Sequence, residues 1–186
     1  MLRTRVGYAG GTQKNPTYHS LGDHAETTQI DFDPARISYE ELLKVFWENH
    51  DPTFPAFSRQ YMSAIFYHDE EQERSAFGSR DKEAAELKKK IFTEIIPFNE
   101  FYLAEDYHQK YALQHNPELM SEFRSMYPSV KEIISSTAAA RVNGYLSGYG
   151  NLKVLQAEVD GYGISESAKT QLFNLVKDSH RICCKR

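Results

Sequence analysis

The chain has 186 residues, with 22 Lys plus Arg against 26 Asp plus Glu, twelve Tyr and eleven Phe. That length suits one ordinary domain, or a domain with an appendage, large enough to bury a core. The near-neutral balance lacks the basic stripe of a nucleic-acid binder, no apolar run approaches the ~20 residues of a membrane span, and the two cysteines, Cys183 and Cys184, are adjacent and cannot form a stapling framework.

Residues 2–8 read as a strand that Gly10-Gly11 ends, and the chain starts as if already inside a domain. A second strand is expected over 24–32, closed by Asp33-Pro34. Ser38 and Glu41 form a capping box for a helix whose Leu42, Leu43, Phe46 and Trp47 recur at helical spacing until Asp51-Pro52. Residues 62–68 read as a strand, and Asp69 opens a helix running to about Phe92. Short strands follow at 93–96 and 101–104, then a helical stretch over 106–114. Asn116-Pro117 is a helix start, and the pattern stays helical to the end, interrupted by glycines. The boundary therefore falls at 115/116, with an α/β body over 1–115 and a helical extension over 116–186.

Alternation along 24–32 places His24, Glu26, Thr28, Ile30 and Phe32 on one face. Ile30 and Phe32 mark it as the core face. Glu26 would then be an interior carboxyl, and burial would favour its neutral, proton-donating form. A half-solvated rim glutamate is the competing reading. Tyr18, before this strand, and Tyr61, before the next, are read as core-rim tyrosines on pattern alone. His108 and Tyr111 share a helical face at i, i+3, and an ordinary packed histidine suffices for that pair. The seven histidines show no metal-ligand spacing, so no bound metal or cofactor is expected.

Taken together, VGYAGGTQKNPTY, GDHAETTQIDFDP, ISYEELLKVFWENHDPT, RQYMSAIFYHDEEQ and FYLAEDYHQKY resemble the peptide-methionine (S)-S-oxide reductases over roughly residues 5–115. The resemblance implies an α/β (α+β) fold, a mixed sheet flanked by helices on a ferredoxin-like core. It implies that a cysteine thiolate attacks the sulfoxide sulfur and becomes a sulfenic acid, which thioredoxin or another dithiol then reduces. By motif it assigns Glu26 as the acid, Tyr18 and Tyr61 as donors to the sulfoxide oxygen, and His108 and Tyr111 as substrate-binding neighbours. Substrates would be oxidised proteins or free methionine sulfoxide. The compartment would be the cytoplasm, and no nucleic-acid or membrane partner is implied.

The family's nucleophile lies in a GCFWG stretch, and no cysteine precedes Cys183 here. The expectation is a divergent member that begins after that motif, lacks the family's first strand and helix, and is marginally stable and inactive alone. The loops 18–24 and 51–61 are short for the family, with Pro55-Ala56-Phe57 where an Asp is expected. Cys183 and Cys184 lie beside Arg181 and Lys185, where positive charge would favour thiolate, but a chain end holds an attacking atom poorly; they are read as incidental, with a reductant relay as the lesser reading. The competing functions are a sulfoxide-binding pseudoenzyme built on Tyr18, Glu26 and Tyr61, and a scaffold using the helical extension.

Overall fold

The structure, a computed structural model, describes residues 2–183, with side chains described to residue 178. It divides into two compact units. One comprises Val6–Glu105; the other comprises Leu2–Arg5 with the chain from Asp106 onward.

In the first unit, residues 6–9 of strand β1 (Arg3–Ala9) lie between β2 (Ala25–Asp31) and β5 (Phe101–Leu103), in the order β2-β1-β5. β1 pairs antiparallel with β5, Gly7 opposite Leu103 and Ala9 opposite Phe101. Only glycine fits at position 7, because a Cβ there would lie 2.2 Å from the Tyr102 carbonyl oxygen. A second sheet pairs β3 (Ala64–Tyr67) with β4 (Glu94–Pro97) in parallel. The mixed α/β class expected from the sequence is present, with its strands in two small sheets.

Helix α1 (Tyr39–Glu48) begins with the expected capping box: Ser38 accepts from the Glu41 amide, and Glu41 accepts from the Ser38 amide at 2.8 Å. It buries Leu43 and Trp47 with Ile65 of β3 and Ala76 of helix α2 (Glu70–Leu87). Helix α2 ends at Leu87, five residues short of the expected Phe92, because Lys88 turns left-handed (φ 52°). The freed segment is used differently: the Phe92 amide donates to the Pro52 carbonyl at 2.8 Å, leading directly into β4. A second small cluster of Tyr8, Leu21 and Ala104 backs β1.

The second unit is helical: α3 (Tyr111–Gln114), α4 (Pro117–Met126), α5 (Val130–Ser135), α6 (Thr137–Leu146), α7 (Leu152–Glu158) and α8 (Glu166–Cys183). Pro117 sits in the first turn of α4, and Asn116, Ser129, Ser136 and Asn151 each accept an otherwise orphaned amide at a helix start. Leu113, Leu119, Phe123, Val142, Leu155 and Leu172 are completely buried in one continuous core. Glu158 ties α6 to α7, accepting from Arg141 Nε at 2.9 Å, Tyr145 at 2.6 Å and Tyr162 at 2.5 Å. Among the described residues no helix is long and apolar enough to cross a membrane.

Candidate active site

The site begins with a loop held from both sides. Asp23 accepts from the Thr12 amide at 2.8 Å, the Thr12 hydroxyl at 2.9 Å and the Gln13 amide at 3.2 Å. These donors stabilise the carboxylate and hold its pKa down at about 2. Buried His24 bridges the same loop, with the Gly11 amide donating to its Nδ1 at 3.1 Å and Nε2 lying 2.8 Å from the Gln13 carbonyl. An amide at one nitrogen and a carbonyl at the other require the Nε2–H tautomer. A Cβ on Gly11 would lie 2.6 Å from both Asp23 Oδ1 and the His24 backbone nitrogen. Asp23 and His24 therefore fix the chain immediately before Glu26.

Glu26 is not interior. Along β2, Glu26, Thr28 and Ile30 are the exposed residues, Ala25 is buried, and Thr27, Gln29 and Asp31 are half-buried. The assignment of Glu26, Thr28 and Ile30 to a core face is therefore corrected. Ile30 faces a groove, and the apolar lining of that groove, not a packed core, explains its character. The groove has a volume of about 760 Å³ and includes residues 25–30 of β2, Met62 and Ser63, and residues 64–66 of β3. Consecutive residues from both strands line it, which means that it runs along strand edges; a strand face would contribute only alternate positions. Leu42, Val45 and Phe46 of α1 and Phe101 contribute further apolar walls.

At one end of this groove the expected groups meet. The Glu26 amide donates to the Gln60 carbonyl at 2.9 Å. Gln60 Nε2 donates to Glu26 Oε1 at 2.7 Å and to the Tyr61 hydroxyl oxygen at 3.2 Å. The Tyr61 phenol is hydrogen-bonded to Tyr18, and its pKa is raised first by that bond, then by lost hydration and by the nearby Tyr18 and Glu26 charges. Glu26 and Tyr61 line the groove, and half-buried Tyr18 joins them through Tyr61. Glu105 secures Tyr18 by accepting its backbone amide at 3.0 Å, and it also accepts from the Tyr8 hydroxyl at 2.6 Å.

Three of the five expected residues thus form one cluster. His108, in a 3₁₀ turn, and Tyr111, opening α3, belong to the second unit. There the His108 ring lies 4.2 Å from Tyr107, and Tyr111 lies 4.0 Å from His115. Sequence reasoning missed Gln60 and Glu105. Gln60 adjoins Tyr61 in the RQYMSAI block, and its position one residue before a candidate donor was the available signal. Among the described residues no group of three His, Cys, Asp or Glu could hold a metal ion. Cys184 lies outside the described residues, as does the side chain of Cys183.

Residues 1–141 match the family described as peptide methionine sulfoxide reductase. The chain belongs to that family. Residues 129–178 also match the helical domain described for selenoprotein methionine sulfoxide reductase A, a span that contains α5, α6, α7 and most of α8. A Drosophila melanogaster peptide methionine sulfoxide reductase is 42% identical over 96% of this chain and 72% of its own length. The Methanosarcina acetivorans MsrA is 46% identical over 60% of this chain and 65% of its own, and the rice A5 protein is 40% identical over 78% and 59%. The chain therefore spans between about three fifths and three quarters of these relatives. The crystal structure of reduced Mxr1 from Saccharomyces cerevisiae superimposes with a TM-score of 0.57 at 31% identity, over 61% of this chain and 71% of that one.

Proposed function

We propose that the Glu26–Tyr61–Tyr18 cluster binds and activates the oxygen of methionine (S)-sulfoxide for thiol-dependent reduction in protein repair. The observation that carries this reading is the single hydrogen-bonded group that joins two phenols and a carboxyl at the mouth of an apolar groove. A sulfoxide places a strongly accepting oxygen beside a small apolar methyl group. Phenol and carboxyl donors suit the oxygen, and the groove suits the thioether side.

In the reaction, a thiolate attacks the sulfur while the oxygen gains a proton from Glu26. The tyrosine hydroxyls stabilise the charge developing on that oxygen. The thiol leaves as a sulfenic acid and the substrate leaves as the thioether. Two further thiols, from thioredoxin or a small dithiol, reduce the sulfenic acid and release water. Tyr61 is protonated, and so a donor, at neutral pH as any phenol is, and its hydrogen bond to Tyr18 raises its pKa further. His108 and Tyr111 would contribute to substrate binding. Dependence on a dithiol suits a reducing, cytoplasmic compartment and a response to oxidative stress.

Residues 1–182 contain no cysteine, and Glu26, Tyr61 and Tyr18 carry the sulfoxide-binding side of this chemistry. The second reading is a sulfoxide-binding pseudoenzyme that uses the same three residues. Both readings predict that the 186-residue chain binds N-acetyl-methionine (S)-sulfoxide methylamide more tightly than the R epimer. Both also predict no turnover with dithiothreitol. Titration calorimetry showing no heat at millimolar S epimer overturns both. Turnover that a Cys183→Ser, Cys184→Ser double variant abolishes overturns the assignment of the tail cysteines as incidental.

A further inference from the structure

We propose that Gln60 is a positioning residue for this site, directing the protons of Glu26 and Tyr61 toward the substrate oxygen; the proposal rests on the function proposed above. A primary amide carries two N–H donors on one nitrogen. Gln60 directs that nitrogen at Glu26 Oε1, 2.7 Å away, and at the Tyr61 hydroxyl oxygen, 3.2 Å away.

The consequence for Glu26 follows from the tautomers of a carboxylic acid. A protonated carboxyl has one O–H oxygen and one carbonyl oxygen. A donor fixed on Oε1 is compatible with Oε1 as the carbonyl and disfavours a proton there, so the acidic proton resides on Oε2. The consequence for Tyr61 is parallel. Its oxygen already accepts from Gln60, so its own hydrogen is left to donate to Tyr18 or to a ligand. One amide thereby sets the donor direction of both groups. Arg59, next in the chain, does not compete for Glu26: its guanidinium donates to the Gly10 carbonyl at 3.2 Å and the Asp23 carbonyl at 3.2 Å and lies 3.5 Å from Glu94.

The backbone makes the test clean. The Gln60 carbonyl holds the Glu26 amide at 2.9 Å whatever side chain position 60 carries. Gln60→Met keeps length and approximate volume, keeps that backbone bond and removes the side-chain amide, its two donors included. Binding of the S and R epimers of N-acetyl-methionine sulfoxide methylamide to the full chain is measured by calorimetry. Gln60→Met should bind the S epimer about tenfold more weakly than the wild type and lose most of the preference for S over R, because donors directed at one oxygen position distinguish the epimers and an intact fold alone does not. An unchanged affinity and epimer preference in Gln60→Met overturns the positioning role and leaves the proposed function standing. Absence of binding of the S epimer by the wild type overturns both. If Gln60→Met fails to fold, the wild type itself decides the matter by NMR. A scalar coupling across the hydrogen bond from Gln60 Nε2 to the Glu26 carboxyl carbon supports the proposal, and its absence in a well-resolved spectrum overturns it.

Discussion

Asp23 donates nothing to a substrate, yet the loop before Glu26 hangs on its charge. Three donors from Thr12 and Gln13 hold its pKa at about 2, against 3.8 for a free carboxyl. A depressed carboxylate pKa gives stability that is present above pH 3.8 and lost as pH falls through about 2. Asp23→Asn should therefore be less stable than wild type at pH 6, and the gap should close between pH 4 and 2 in urea titrations. A gap that persists at pH 2 would show that the side-chain shape matters and the charge does not. Lys110 works in the opposite sense. Buried and 2.5 Å from the Thr4 carbonyl, its pKa falls to about 8 from 10.5, through desolvation first and the Arg5 charge second. The unfolded state then holds the proton over an interval in which the folded state has lost it, so stability climbs as pH rises from about 8 toward 10.5. The full climb is on the order of 3 kcal/mol. Comparing wild type with Lys110→Met from pH 7.5 to 9.5 isolates it, because other groups titrate alike in both. Parallel curves would refute the assignment.

At the level of elements, one histidine knits three of them. His50, just past α1, places Nδ1 2.8 Å from the Phe46 carbonyl and Nε2 2.8 Å from the Ser63 hydroxyl at the start of β3; Ser63 in turn reaches Thr93, before β4, at 2.9 Å. Thr93 is buried, so removing the imidazole takes the acceptor from the Ser63 hydroxyl and loosens the bond that satisfies Thr93. His50→Ala should cost about 1–3 kcal/mol in chemical denaturation, and His50→Gln should recover part of it; equal losses in the two would assign the effect to packing. The same elements show what the sequence could and could not convey. Capping residues and hydrophobic spacing located α1, α2 and α4, because those signals are local. The end of α2 was hidden, because nothing in KKKIF announces a left-handed Lys88, and the Phe92–Pro52 pairing that redirects the chain is long-range. The face of β2 was misjudged for a related reason. Alternation separates two faces but does not say whether Ile30 meets a core or a groove. Glu26, Tyr18 and Tyr61 were legible through their motifs. Gln60 was not, since an amide gains meaning only from the two groups it joins.

For the whole molecule, the two units differ in how they are stabilised. Among the described residues, the first relies on two small separate clusters, around Leu43, Trp47, Ile65 and Ala76 and around Tyr8, Leu21 and Ala104. It also carries a groove of about 760 Å³ along the edges of β2 and β3. The second packs Leu113, Leu119, Phe123, Val142, Leu155 and Leu172 into one core without exposure. Segments with few buried apolar contacts open at lower free energy than segments in a continuous core. Native-state hydrogen exchange should therefore find the amides of β2 and β3 at least about tenfold less protected than those at the centres of α4, α6 and α8. A ligand that binds only the folded groove stabilises the closed state in proportion to its occupancy. Saturating N-acetyl-methionine (S)-sulfoxide methylamide should accordingly slow exchange in β2 and β3, with the core of α6 as the internal reference. Uniform protection across both units without ligand would contradict the unequal cores. Unequal protection that the sulfoxide leaves unchanged would place its binding elsewhere than between β2 and β3.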